Sequence, residues 1–113
     1  MFELTVEDIF ILEGVGVVFS GNIASGEVAR FDKLRVMSPT GHADFGVAAI
    51  HELGKIVDKA SSGTLVGIVA AGRIDFDAIA DGVRRGDDGT FELISLRLMT
   101  APPKERGWWP FGS

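Results

Sequence analysis

Hydrophobic and polar residues alternate at the amino terminus of the chain. Phe2, Leu4 and Val6 share one face at a spacing of two, and polar residues stand between them. This alternation predicts a strand with one buried face. The glycines of segment 12–16 permit a tight turn, so the β-rich run 17–23 is expected to fold back as a partner strand.

Downstream, the apolar stretches are short and are separated by turns rich in glycine. The clearest buried strand is 64–71, because it is apolar on both faces. Residues 74–82 predict one helical turn that ends at Gly82, with Asp75 or Asp77 as its cap. We predict the other strands at 34–37, from about Val47, at 56–57 after a turn at 53–55, and at 91–98, which is expected to form one long closing strand.

Segment 45–53 allows a second interpretation. Val47, Ile50 and Leu53 could belong to one helical stripe, and alanine favours helix. Flanking glycines and the lack of a good amino-terminal cap argue against a helix, so we favour a strand.

Six or more short strands without a strong helix predict a small all-β barrel or sandwich. A closed antiparallel barrel is favoured because it leaves no bare edge. We place the barrel domain at residues 1–100 and a Pro/Trp-rich tail at 101–113.

The tail contains three aromatic residues close together, Trp108, Trp109 and Phe111. Paired tryptophans are typical binding anchors, which suggests partner docking or self-association. Two other interpretations stay open: the aromatic residues fold back onto the barrel, or they belong to a disordered end.

Composition narrows the class of protein. With 113 residues there is room for one domain and one modest core. A net charge of −5 with scattered basic residues disfavours DNA and generic nucleic-acid binding, although contact with a single RNA end stays open. The chain has no cysteine, secretory signal or long apolar segment, so we expect a cytoplasmic protein without a membrane partner.

Several segments in order resemble domain II of the translational GTPases, as in elongation factor Tu. The resemblance begins with Val-Glu-Asp-Ile-Phe at 6–10 and Gly-Val-Gly-Val-Val at 14–18, and it covers roughly residues 2–83. It implies a closed antiparallel β-barrel of the translation-factor domain II type. The sequence has no phosphate-binding loop of the Gly-x-x-x-x-Gly-Lys-Ser/Thr type, so we expect no bound nucleotide and no nucleotide hydrolysis.

The resemblance also implies binding residues. In elongation factor Tu this barrel holds the aminoacylated end of tRNA, and the matching positions here are Glu7, Asp8, Phe10 and Ser20. Two matching polar positions are lost, because Ala48 replaces a glutamate and Leu65 replaces an asparagine. Lost hydrogen bonds weaken the RNA interpretation. The alternative is structural: backbone groups donate to the acidic residues and Phe10 fills the core.

Metal binding and catalysis have little support in the sequence. His42, Asp44, His51 and Glu52 are the only cluster of metal-ligand types, and their spacing does not make them adjacent. No cysteine exists and no serine lies in a nucleophile-elbow pattern, so we expect neither cofactor nor catalysis.

The sequence therefore predicts a non-enzymatic binding module that docks on a protein or RNA partner. A translation-related protein that binds an RNA end or ribosomal RNA is the first alternative, and a barrel that binds a small ligand is the second.

Overall fold

The computed structural model describes residues 1–88 and 90–102, and short strands predominate in this part of the chain. One 3₁₀ helix, Phe76–Ile79, lies among them. The strands are β1 (Glu3–Thr5), β2 (Asp8–Leu12), β3 (Gly16–Ser25), β4 (Glu27–Ala29), β5 (Lys33–Met37), β6 (His42–Glu52), β7 (Lys55–Val57), β8 (Lys59–Ser61), β9 (Leu65–Ala71), β10 (Val83–Arg85), β11 (Phe91–Leu93) and β12 (Arg97–Thr100).

Six of these strands close into a cylinder. Their order is β1-β12-β5-β6-β9-β3, and β3 pairs again with β1. Every neighbouring pair is antiparallel. The predicted closed antiparallel barrel is confirmed.

The alternating residues at the amino terminus contribute one buried face to the core of the barrel. Phe2, Leu4 and Val6 are at most 3% exposed, whereas the residues between them are exposed. Across the interior, the Phe19 and Phe45 rings stack with their centroids 5.3 Å apart. Apolar side chains from all six strands therefore fill the cylinder.

Strand β6 settles the ambiguity of segment 45–53. Residues 45–52 belong to β6, which pairs with both β5 and β9, so the helical interpretation is wrong. A bulge between Val47 and Ala49 shifts the register against β9. The backbone of Val47 instead bonds across to the preceding loop, where it accepts from Phe31 N and donates to Asp32 O. The bulge bends β6 so that one strand serves two sides of the barrel.

The long closing strand predicted at 91–98 is wrong, because two strands occupy this region. β11 pairs with β10 in a separate hairpin, and β12 joins the barrel. Between them, the backbone N–H groups of Ile94 and Ser95 both donate to Gly82 O at 2.9 Å. These two bonds turn the chain where the apolar alternation changes phase, from Phe91 and Leu93 in β11 to Leu96 before β12 and Leu98 within it.

The predicted helical turn is confirmed as the 3₁₀ helix with Asp75 as its cap, but it ends at Ile79 and not at Gly82. Asp75 Oδ1 accepts from Ala78 N at 3.3 Å. Within the described residues, the structure contains no helix with the length and apolar character needed to cross a bilayer. Trp108, Trp109 and Phe111 lie outside the described residues, so their docking role stays a prediction.

Candidate binding site on the outer face of the barrel

The four residues suggested by the resemblance lie together on the outside of the barrel. Asp8 and Phe10 belong to β2, and Ser20 lies opposite Asp8 on β3. Glu7 precedes β2, and its N–H donates to Ser20 O at 2.7 Å. Because Ile9 belongs to the core, its neighbours Asp8 and Phe10 point to the outer face.

An apolar row crosses this outer face from β2 to β6. In register, it consists of Phe10, Val18, Val69 and Ala49. Val18 and Val69 are each 1% exposed, yet neither belongs to the main core cluster. Phe10 is 37% exposed at the end of the row. The row is therefore an apolar strip on the outside of the sheet that the chain covers only in part.

A second row of small and polar residues runs beside the apolar one. It contains Asp8, Ser20, Gly67 and His51. A Cβ atom on Gly67 would stand 3.1 Å from Val18 Cγ1, which is closer than ordinary contact. Gly67 thus lets Val18 lie flat against β9 and leaves a shallow floor between the polar residues on either side.

Hydrogen bonds already engage part of the acidic pair. Asp8 Oδ1 accepts from Ile9 N at 2.9 Å, and Glu7 Oε2 accepts from Asn22 Nδ2 at 3.1 Å. The structural interpretation is therefore right for the Asp8 carboxylate, which accepts from a backbone donor. It is wrong for Phe10, whose exposed ring lies outside the core.

The two positions that depart from the resemblance border the same face. Ala48 lies in the β6 bulge, and Leu65 lies opposite Asn22 on β9. Leu65 is 50% exposed. Together with Phe10 it gives the face two large exposed apolar side chains beside a few polar groups. This combination suits contact with another surface better than chemistry on a bound substrate.

The possible metal ligands are not brought together. Within residues 1–88 and 90–102, no group of three or more acidic or histidine side chains could hold a metal ion. The guanidinium of Arg35 binds both oxygens of Asp44, at 2.7 and 3.0 Å. His51 and Glu52 lie at the far end of the same strand.

Sequence reasoning missed Val18 and Val69 as parts of the site. Their signal was present, because runs 17–19 and 68–71 are apolar on both faces. Such a run in an antiparallel barrel indicates apolar contact on the outside as well as in the core.

No known protein-family model matches the chain. Among solved structures it resembles translation elongation factor SelB from Methanococcus maripaludis, in its apo form. The match has a TM-score of 0.67 and 23% sequence identity over 91% of this chain. It spans 19% of the length of that elongation factor, so the similarity concerns one part of a larger protein. Together with the closed six-stranded cylinder, it shows that this chain has the β-barrel fold of the translation-factor domain II type.

Proposed function

We propose that the chain is a non-enzymatic binding module that docks on a protein partner through its outer face. The observation that carries the proposal is the apolar row, with Phe10 37% exposed at one end, together with Leu65, which is 50% exposed on the far side of the polar row. Exposed apolar side chains grouped beside polar ones are typical of protein-interaction surfaces. The absence of cysteine supports a cytoplasmic location for this interaction.

Charge favours a protein over a nucleic acid as the partner. The chain carries −5, and Glu7 and Asp8 border the proposed contact. Nucleic-acid affinity depends on cations that neutralise phosphates, and carboxylates at this place oppose it. A protein surface needs only apolar complementarity and a few hydrogen-bond partners there.

Site-specific photocrosslinking in the native cell tests the proposal. A photoreactive amino acid is placed at Leu65 on the outer face, and a matched control carries it at Phe31, which is 74% exposed elsewhere on the chain. We expect the Leu65 probe to give a discrete protein adduct that resists nuclease, and the Phe31 probe to give none. Adding Phe10→Asp to the Leu65 probe is expected to abolish the adduct.

Identical adduct patterns from both positions would contradict the proposal. So would an adduct at Leu65 that persists unchanged in the Phe10→Asp background. An adduct that nuclease removes would identify RNA as the partner instead.

Binding of an RNA end is the second candidate, and the polar row supports it. Asp8, Ser20 and the Glu7–Asn22 pair offer hydrogen-bonding groups beside an apolar strip. The fold likeness to an elongation factor adds to this. Titration of tRNA at two salt concentrations tests it, with Ser20→Ala as the site variant. Saturable binding at low salt that Ser20→Ala weakens would support it, and its absence would end it.

A small-ligand site inside the barrel ranks last. The interior holds packed apolar side chains, among them the stacked Phe19 and Phe45. Six strands enclose little space beyond what such side chains fill.

A further inference from the structure

A cleft of about 480 Å³ lies beside the carboxyl ends of β2 and β9. Its apolar walls include Ile11, Val17 and Ile74, and it is also lined by two arginines, Arg73 and Arg85. The other lining residues are Gly16, Gly72 and Phe76, so no acidic residue lies among the described residues that line it. We call this the arginine cleft. It combines apolar surface with two cationic side chains.

The two arginines of this cleft form no ion pair within residues 1–88 and 90–102. This includes the carboxylates of Asp75 and Asp77, which line an adjoining cleft together with both arginines. The Arg85 guanidinium lies over the rings of two phenylalanines, 5.6 and 5.5 Å from their centroids. A guanidinium held against aromatic rings keeps the N–H groups at its edge available for a carboxylate.

The arginine cleft adjoins the outer-face site. Ile11, which lines the arginine cleft and is 50% exposed, follows Phe10 directly on β2. A smaller cleft of about 350 Å³ is lined by Phe10 and Ile11 together, and also by Phe91. Phe91 is one of the two rings against which the Arg85 guanidinium lies. Apolar surface therefore continues from Phe10 on the outer face to the arginines of the cleft.

Charge complementarity indicates what kind of group the cleft binds. The chain has 16 acidic and 11 basic residues, yet two arginines share one cleft that no described acidic residue lines. An anionic group can bind both of them. The apolar walls favour an anion with an apolar neighbour, as in a peptide that carries a carboxylate next to an aliphatic or aromatic side chain. The carboxylates of Glu7 and Asp8 on the adjoining outer face oppose an RNA backbone.

We propose that the arginine cleft receives an acidic segment of the protein partner, in which a carboxylate side chain stands next to an apolar one. The inference rests on the proposed function, because it extends the contact made by Phe10. The carboxylate binds the guanidinium groups of Arg73 and Arg85. The neighbouring apolar side chain packs against Ile11 and Ile74.

Nuclear magnetic resonance of the full chain, labelled with ¹⁵N, tests the inference with defined probes. One probe is a peptide of three Glu-Leu pairs with blocked ends, and its matched control carries glutamine in place of each glutamate. We expect the glutamate peptide to shift the side-chain Nε–Hε signals of Arg73 and Arg85 and the backbone signal of Ile11, to saturation. The glutamine peptide should bind about tenfold more weakly, because its hydrogen bonds to the arginines lack the negative charge.

The variant that separates the cleft from other contacts is Arg73→Gln with Arg85→Gln. We expect it to weaken binding of the glutamate peptide about tenfold, to the level of the glutamine peptide. Arg73→Gln alone leaves the stacked Arg85 in place and is expected to give an intermediate loss, and the spectrum of each variant reports whether it is folded. Arg84→Gln is the matched control, because Arg84 lies on the same strand as Arg85 but pairs with Glu92, and it should behave as the parent.

Equal binding of the two peptides would overturn the inference, and so would the absence of saturable shifts or binding unchanged in the double variant. A six-nucleotide uridine RNA that shifts the two arginine signals at lower concentration than the glutamate peptide would also overturn it, in favour of phosphate. If the Leu65 photocrosslink persists in any of these cases, the arginine cleft fails and the proposed function stands. Loss of that photocrosslink with peptide binding intact is the failure of the proposed function alone.

Discussion

At the scale of single residues, the exposed fraction of Phe10 shows that this side chain belongs to the outer face of the barrel and not to the core. The resemblance pointed to this residue, but residue type alone left both roles open. Ile9 is 4% exposed and belongs to the core, whereas Phe10 is 37% exposed on the opposite side of β2. The alternation of the strand thus decides the role of each side chain.

Truncating Phe10 should cost far less stability than truncating a true core phenylalanine. We expect Phe10→Ala to lower the free energy of unfolding by about 1 kcal/mol, because its ring is only partly buried. Phe19→Ala, at 0% exposure, should lower it by about 3–5 kcal/mol. Urea unfolding followed by circular dichroism measures both. Equal losses of unfolding free energy in the two variants would show that Phe10 is a core residue.

Asp81 should make stability depend on pH at the acidic end. Hydrogen bonds from the Ser38 and Thr40 hydroxyl groups hold the pKa of the Asp81 carboxyl below its ordinary value. A carboxyl with a lowered pKa stabilises the fold above about pH 4, and this contribution is lost as pH falls through the pKa of the folded state.

We therefore expect Asp81→Asn to lower the Tm at pH 7, with the difference from the parent shrinking towards zero at the most acidic pH. Thermal unfolding at a series of pH values measures this. Asp77→Asn is the control, because within the described residues no hydrogen bond links Asp77 to Ser38 or Thr40. A Tm difference that stays constant with pH would contradict the account.

At the scale of elements, the sequence predicted strands wherever local alternation and glycine turns agreed. β6 is an example: Gly46 and Gly54 argued for a strand, and the strand is there. Region 91–98 failed for a physical reason. Its apolar alternation changes phase at Leu93 and Ile94, where the carbonyl of Gly82 receives the Ile94 and Ser95 N–H groups and breaks the ladder. The phase change was the local sign of the break, but it does not identify Gly82 as the acceptor.

Gly21 is where β1 and β3 approach closely enough to close the barrel. A Cβ atom there would overlap the backbone carbonyl of Thr5 on β1. We expect Gly21→Ala to lower the free energy of unfolding by about 1–3 kcal/mol, because backbone must move to make room.

Gly46→Ala is the matched control for Gly21→Ala, since a Cβ on Gly46 meets only Ala71 Cβ, at an ordinary 3.9 Å. It should change the free energy of unfolding by less than about 1 kcal/mol. Denaturant unfolding of both variants compares them. A Gly21→Ala chain as stable as Gly46→Ala would contradict a close backbone approach of Thr5 to Gly21.

At the scale of the whole molecule, the closed barrel could be predicted from the sequence. The residues that meet on its outer face could not. Many short strands needed partners, and a cylinder provides them without a bare edge. The register of the strands then decides which residues meet on the outside. Phe10, Val18, Val69 and Ala49 come from four strands, and their alignment in one row follows from pairing that no local pattern specifies.

The most direct test of the outer-face account is the size of the complex that the chain forms in its native cell. Gel filtration of fresh extract compares the parent with Phe10→Asp and with Phe31→Asp, an equally disruptive change at an exposed position elsewhere. The account predicts that the parent and Phe31→Asp elute well above the 12.1 kDa of the chain, while Phe10→Asp elutes at the mass of the chain alone. Equal elution of all three chains would contradict it.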